Sequence, residues 1–274
     1  IAFLSTAHIH AKVFLEAIGR GTDHCVASVI WDDDHARGRR YAEQFGARFE
    51  PELDRVAVDV AVDGFVICAE NTRHLPLLRA VLPVGKPVFC EKPLVTSTAD
   101  LRELRALVAR CPTPLFSGYV YPFERELRTV RAMLACEEFG PVTRVRFRNS
   151  HNGAYGRWFD SPELAWFHDP MRAGGGAFMD VGSHAVHALR TLFGPVSWAW
   201  ALIGNQSGRY PDCDDFGLAH LRFASGVVGT IDASWTQTGG PNGLEITGAK
   251  QTLWVTTSGY LTAKPGEEPQ SLTL

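Results

Sequence analysis

Two segments of this 274-residue chain place reactive side chains at informative spacings. In Gly174-Gly-Gly-Ala-Phe-Met-Asp-Val-Gly-Ser-His184, Asp180 and His184 stand four residues apart on a predicted helix and so share a face. Such a pair is either an ion pair internal to the helix or an imidazole base with the carboxylate that orients it. The three glycines before the helix let backbone approach a ligand closely. In Val84-Gly-Lys-Pro-Val-Phe-Cys-Glu-Lys-Pro-Leu94, Glu91 and Lys92 follow the end of a predicted strand, where open α/β sheets place ligand groups. Lysine is scarce here, and unlike arginine it can lose its proton near neutrality when desolvated.

A third segment, Ser5-Thr-Ala-His-Ile-His10, joins the first predicted strand to the first helix. A dinucleotide site needs a tight turn there, with backbone amides facing the pyrophosphate. Ser5, Ala7 and His10 stand where G-x-G-x-x-G places its glycines, so the turn alone supports an ordinary βα connection as well as a cofactor site. The second strand ends at Asp32, the place of the carboxylate that takes ribose hydroxyls. With Asp33 and Asp34 following, three acids disfavour a 2′-phosphate and favour NAD, while Arg37, Arg39 and Arg40 keep NADP open. Asp34 also reads as a helix N-cap.

The elements that must position these residues follow from periodicity. Over the first part of the chain, apolar runs at Ile1–Leu4, Cys25–Trp31, Asp63–Cys68 and Pro87–Cys90 alternate with helical stretches at Ile9–Ile18, Asp34–Phe45, Arg73–Leu82 and Leu101–Ala109. Ser97 to Asp100 reads as an N-cap with an acidic first turn. That is the pattern of a parallel sheet, and it predicts a Rossmann dinucleotide-binding domain over residues 1–115. After Leu115–Val120 and a helix at Glu124–Leu134, the strand-like runs are Val142–Asn149, Trp198–Ile203, Phe216–Phe223, Val227–Trp235, Leu244–Thr247 and Thr252–Thr256, with a helix over Ala177–Leu192 among them. They predict an α+β domain over residues 116–274, a mostly antiparallel open sheet with helices on one face. The overall class is α/β. A loop over 150–173, rich in Gly, Trp, His and Asp, belongs to that second domain.

Composition narrows the function. A net charge of −3 argues against nucleic acid or an anionic membrane as partner. No apolar run is long enough to span a bilayer. Six scattered cysteines without a CxxC pair show no zinc knuckle or redox motif, which fits a reducing, cytoplasmic setting. The chain starts at Ile1, inside a predicted strand, and stops at Leu274 without a terminating element, so both ends are expected to be cut short.

Taken with Asp63-Gly-Phe-Val-Ile-Cys68 and Asn71-Thr-Arg-His74, the Gly85–Pro93 and Gly174–His184 segments resemble the glucose-fructose oxidoreductase/inositol dehydrogenase/MocA family over most of the chain. The resemblance implies that Lys92 is the active-site lysine, which hydrogen-bonds the reacting hydroxyl. It implies that Asp180 and His184 are the catalytic aspartate and histidine. Ser5, Ala7, His8, Ile9, Asp32, Asn71, His74 and Glu91 then bind the cofactor. Trp166, His168 and Arg172 from the long loop, with Trp158, Tyr119 and His187, are candidates for gripping the substrate. The reaction implied is hydride transfer between NAD, or NADP, and a secondary alcohol of a sugar, cyclitol or related polyol, by a homodimer or homotetramer. An enzyme that retains NAD and cleaves glycosides, and a non-catalytic sugar or cofactor sensor, are the alternatives.

The chain departs from the family at three places. The glycine loop is replaced, His187 stands where the family has aspartate, and Tyr119-Val-Tyr121-Pro122 replaces an arginine-bearing segment. Asp180, His184 and His187 form one helical stripe which, with His168, could ligate zinc, but helical histidines more often pack or face solvent, and no metal is expected.

Overall fold

The computed structural model describes residues 1–21 and 25–272, so Thr273 and Leu274, at the chain end discussed above, lie outside the described residues. The chain divides into two compact units. The first comprises residues 1–118 and 159–174, and the second residues 119–158 and 175–274.

In the first unit the order is β1 (Ala2–Leu4), α1 (His10–Gly19), β2 (Val29–Trp31), α2 (His35–Phe45), β3 (Arg48–Phe49), α3 (Leu53–Val58), β4 (Phe65–Ile67), α4 (His74–Val81), β5 (Val88–Cys90), α5 (Thr98–Arg110) and β6 (Leu115–Ser117). The strands form one parallel sheet in the order β3-β2-β1-β4-β5-β6. Their cores are short apolar triplets because both faces are covered. Leu4, Trp31, Ile67 and Cys90 face Leu78, Val81, Leu104 and Leu107 of α4 and α5. Phe3, Ile30 and Cys68 face Ala11, Leu15 and Ala42 of α1 and α2. The strand order reverses beside β1, so the turn after β1 lies at the sheet's switch point, where such folds take ligands. Asp34 caps α2 by accepting from the amide of Arg37, and Ser97 caps α5 by accepting from that of Asp100.

The second unit contains α6 (Arg125–Ala135) and β7 (Val142–Ser150). The next helix, the short α7 (Pro170–Ala173), belongs to the first unit. Then come α8 (Ser183–Phe193), β8 (Val196–Gly204), β9 (Phe216–Phe223), β10 (Val228–Ser234), β11 (Gly243–Gly248), β12 (Thr252–Thr256), β13 (Gly259–Ala263) and β14 (Gln270–Leu272). The sheet order is β14-β13-β12-β11-β7-β10-β9-β8, with only β7 and β10 parallel. α8 packs on β7 and β10. Strand residues alternate between buried (Val145, Phe147, Ala219, Leu221) and exposed (Arg144, Arg146, Leu218, His220), so one face is core and the other open.

One boundary differs from the sequence reading. Residues 159–174, expected in the second domain, pack on the first. Trp166 and Phe167 bury against the ring of His8, and Asn71 Nδ2 donates to the carbonyl of Ala173 at 2.8 Å. Burying two aromatic rings outweighs sequence continuity.

Candidate active site

The first half of the site is the turn after β1. Ser5 takes a positive φ of 67°, the left-handed conformation that glycine adopts without cost, and its amide donates to Trp31 O at 2.7 Å. The serine therefore reproduces the tight turn without the glycine. Its Oγ accepts from the amide of Ala7 at 3.3 Å. His8 is buried. Its amide donates to Cys68 O, and its Nδ1 accepts from the amide of His10 at 3.2 Å. Burial pushes its imidazole down to about 3, against the attraction of Glu91, so it is neutral. Ile9, just before α1, is exposed.

Asp32, expected to take the ribose hydroxyls, is engaged within the protein. It is fully enclosed, and five donors converge on its carboxylate: the amide and hydroxyl of Thr6, the amide of Asp34, and Nε and Nη2 of Arg37 at 2.6 to 3.0 Å. With its lone pairs occupied in this arrangement, it ties β2 to the turn and aims Arg37. Asp33 keeps partial exposure beside Arg73 at 2.7 Å. Asn71 and His74 are likewise engaged with backbone carbonyls. Asn71 holds the segment ending at Ala173, and the enclosed ring of His74 lies between Pro93 O at 2.7 Å and Ala69 O at 3.1 Å.

Glu91 and Lys92 leave the carboxyl end of β5 as the sequence places them, and both are buried. Glu91 Oε2 accepts from the Lys92 amide at 3.0 Å, and Oε1 lies 2.9 Å from Nδ1 of His10. Burial raises the carboxyl pKa, but the His10 hydrogen bond and the nearby charges outweigh it and hold the group at about 2. An ionised carboxylate only accepts, so Nδ1 of His10 carries the proton. Gly118 leaves room for this arrangement, because a Cβ there would sit 2.7 Å from Glu91 Oε2.

His8, His10 and Glu91 bring three ligand-type atoms within 4.8 Å, which the Asp180–His184–His187 stripe does not. The chemistry there does not favour a cation. Nδ1 of His8 already accepts a hydrogen bond, leaving the proton on its other nitrogen, and the start of α1 is the positive end of a helix dipole.

Of the loop residues expected to grip substrate, three lie in the first unit. Trp166 is buried, stacks on Phe167 and donates its indole N–H to Ala7 O at 3.2 Å, so it braces the turn after β1. Arg172 pairs with Glu70 at 2.6 Å. His168 ends a short 3₁₀ turn and is half-buried.

In the second unit, Asp180 lies on a π-helical turn, Phe178–Gly182, that runs into α8. The sequence predicts one regular helix here. The π-turn, a local i→i+5 widening often found at functional sites, is what the structure forms. Asp180 Oδ2 accepts from Trp235 Nε1 at 3.0 Å and lies 3.9 Å from Nε2 of His151. Because Nδ1 of His151 accepts from the Gly153 amide at 3.0 Å, its proton is on the nitrogen facing Asp180. His151 also stacks on Trp158 at 4.6 Å.

His184 is half-buried and meets two tyrosine rings nearly at right angles, Tyr119 at 5.6 Å and Tyr121 at 5.4 Å. His187 stacks flat on Tyr119 at 4.4 Å, and burial, with Arg190, lowers its pKa. Tyr121 donates to Asn149 Oδ1 at 3.1 Å. The glycines before Asp180 serve packing: a Cβ at Gly176 would strike the backbone oxygen of Asp214. His151 and Trp235 were not singled out from sequence, whereas His10 and Arg37 were noted only as a bulky residue at a glycine position and as a cation that keeps NADP open, not for the Glu91 and Asp32 partners they have here.

Comparison with known proteins fits this geometry. Residues 6–119 match the family model for the oxidoreductase family with an NAD-binding Rossmann fold, and residues 127–254 match the GFO/IDH/MocA C-terminal domain. The chain belongs to the Gfo/Idh/MocA oxidoreductase family. Among its family relatives, myo-inositol 2-dehydrogenase of Thermotoga maritima is 27% identical, over 77% of this chain and 62% of that protein. This Gfo/Idh/MocA chain thus spans less than two thirds of that relative's length. The structure of GenD2 from gentamicin A biosynthesis, in complex with NAD, is 27% identical with a TM-score of 0.77, covering 96% of this chain and 71% of that one. An inositol dehydrogenase homolog from Azotobacter vinelandii, complexed with NAD+, has a TM-score of 0.86 at 20% identity, covering 99% and 75%, and shares the fold.

Proposed function

We propose that this chain is an NAD-dependent oxidoreductase, with NADP as the alternative coenzyme, that oxidises or forms a secondary alcohol on a sugar or cyclitol. The observation that carries the reading is Lys92, a buried lysine at the carboxyl end of β5 in a fold of the NAD-binding oxidoreductase family. Burying an ammonium costs free energy that a surface lysine avoids, so a buried one at the ligand-binding end of the sheet points to function.

The residues present fit the dinucleotide. The left-handed Ser5 shapes the turn, and the backbone of Ala7, His8 and Ile9 surrounds the start of α1, where a pyrophosphate is held. The bound nicotinamide supplies the hydride acceptor. Lys92 donates a hydrogen bond to the reacting oxygen and stabilises its developing negative charge. His184 accepts the hydroxyl proton on its imidazole, held in place by the rings of Tyr119 and Tyr121. Asp180, fixed by Trp235, binds a neighbouring hydroxyl or orients His184. Trp158, about half exposed and stacked on His151 beside Asp180, offers the flat apolar surface that a sugar ring packs against. Relatives named for myo-inositol and D-xylose oxidation support this substrate class.

Trp198, Trp200 and Leu202 of β8 and Leu218 of β9 form an exposed apolar column on the open face of the second sheet. A second copy of the chain covers that column in our reading, and sedimentation analysis tests it: a monomer at micromolar concentration counts against it.

The functional test is a titration with NAD and NADP, then a polyol screen read by reduced-nicotinamide absorbance, on the wild type and on Lys92→Ala and His184→Ala. Loss of turnover in both variants with coenzyme binding retained supports the roles. Turnover near the wild-type rate in either removes that residue from the mechanism. Cleavage of a glycoside without added coenzyme would indicate the NAD-retaining alternative instead.

A further inference from the structure

The π-turn that carries Asp180 begins without a cap of its own. Ala177 stands at its N-cap position and has no side chain that could accept an amide. The cap comes from Asp214, just before β9. Its Oδ1 accepts from the Gly176 amide at 2.9 Å and its Oδ2 from the Phe178 amide at 2.7 Å. Its backbone oxygen accepts from the Ala177 amide at 2.9 Å. Three consecutive amides at the positive end of the helical segment thus converge on one distant residue.

The next residue reaches the same turn by a second route. Asp215 O accepts from the Trp235 amide at 2.8 Å, and the Trp235 indole donates to Asp180 Oδ2 at 3.0 Å. The segment that presents both aspartates is fixed internally. The enclosed Asp215 carboxylate accepts from the amides of Gln206 and Ser207 at 2.9 and 2.8 Å, and Asn205 Nδ2 donates to the carbonyls of Tyr210 and Cys213. The contact has no slack, because a Cβ at Gly176 would strike Asp214 O and one at Gly217 would strike the Phe178 ring. Asp180 is therefore held by its backbone through Asp214 and by its carboxylate through Trp235.

We propose that Asp214 is a positioning residue for the reaction: by capping the π-turn it sets where the Asp180 carboxylate stands. The inference rests on the oxidoreductase reading above and adds to it a residue that acts through Asp180. A π-turn is an uncommon backbone state, and it persists where its surroundings over-determine it. Asp180 lies two residues beyond Phe178, and its amide donates to Gly176 O at 3.0 Å, so a shift of the capped amides passes directly to it. Only a carboxylate satisfies the Gly176 and Phe178 amides together. An asparagine has one acceptor oxygen and turns an NH2 group toward the other amide.

Asp214→Asn tests this, with Asp214→Ser as a second variant that also keeps a single acceptor. The indole N–H resonance of Trp235 is identified in ¹H–¹⁵N spectra by its loss in Trp235→Phe. It is expected to shift in both Asp214 variants, while the indole signals of Trp31 and Trp166 in the first unit stay in place. With a polyol found by the screen above, kcat is expected to fall about tenfold, as for a displaced catalytic group, with NADH affinity unchanged. In the double variant Asp214→Asn/Trp235→Phe, kcat is expected to fall well short of the product of the two single losses, because either change alone releases the same carboxylate. A Trp235 signal that does not move, kcat at the wild-type level, losses that multiply, or failure of both Asp214 variants to fold overturns the inference and leaves the oxidoreductase reading intact. A wild-type protein that binds neither NADH nor NADPH and turns over no polyol overturns both.

Discussion

Trp235 donates its indole N–H to Oδ2 of Asp180 at 3.0 Å, across the π-turn that opens α8. Trp235 is fully buried, so this bond ties the candidate catalytic carboxylate to the segment that follows β10. Trp235→Phe keeps most of the ring volume and removes the donor. The expected outcome is a loss of about 1–2 kcal/mol in stability and a fall of about tenfold in kcat with KM for coenzyme unchanged. Steady-state kinetics and thermal melts check it, and unchanged kcat would show that Asp180 needs no such anchor.

Gly118 faces the Glu91 carboxylate so closely that a methyl group cannot be added without displacing it. The new Cβ would lie 2.7 Å from Oε2 and 3.1 Å from the Lys92 amide. Gly118→Ala is expected to destabilise by about 1–3 kcal/mol through overpacking and to weaken coenzyme binding as Glu91 shifts and the start of α1, which it holds through His10, moves with it. Urea denaturation and NADH fluorescence titration read both effects.

The parts legible in the sequence were those governed by local pattern. Both sheets, the caps at Asp34 and Ser97, and the placing of Glu91 and Lys92 after β5 follow from periodicity and turn chemistry, which act over a few residues. What sequence could not show depends on distant partners. Asp32 read as a ribose ligand because its position along the chain is right, yet Arg37 and Thr6 enclose it. Trp166 read as a sugar platform because aromatics in a long loop suit one, yet it folds back onto Ala7. The π-turn at Asp180 breaks a helical period that the sequence shows unbroken, and β13 and β14 carry too weak an alternation to be seen.

Acid sensitivity has a defined source in His8. Burial lowers its pKa from 6.5 to about 3, so between those values the unfolded chain binds a proton there that the folded chain does not. Stability therefore rises with pH across that window and falls as the solution is acidified through it, by about 1.4 kcal/mol per unit and on the order of 5 kcal/mol in total. Glu91 acts in the same direction at lower pH. Its folded value of about 2 lies below its ordinary 4.5, so its contribution is present above 4.5 and is lost as pH falls toward 2. Urea midpoints at pH 7 and pH 4.5 should differ strongly in the wild type and much less in His8→Gln. An equal drop in both proteins would place the acid sensitivity elsewhere.

Asp32 and Arg37 separate a structural from a ligand-binding carboxylate. If Asp32 bound the ribose directly, Asp32→Asn would weaken NADH binding by one to two orders of magnitude and leave the melting temperature almost unchanged. With the carboxylate enclosed by five donors, the expected order is reversed. Arg37→Ala leaves a buried carboxylate without its counter-charge and is expected to cost about 3–5 kcal/mol. Asp32→Asn costs less, because Thr6 can still donate to the amide oxygen, and the double variant falls below the sum of the two, since each single change strands the other partner. Coenzyme affinity per folded molecule is expected to change by less than about fivefold in Asp32→Asn, roughly 1 kcal/mol. Melting curves and NADH titrations on the three variants decide between the two orders.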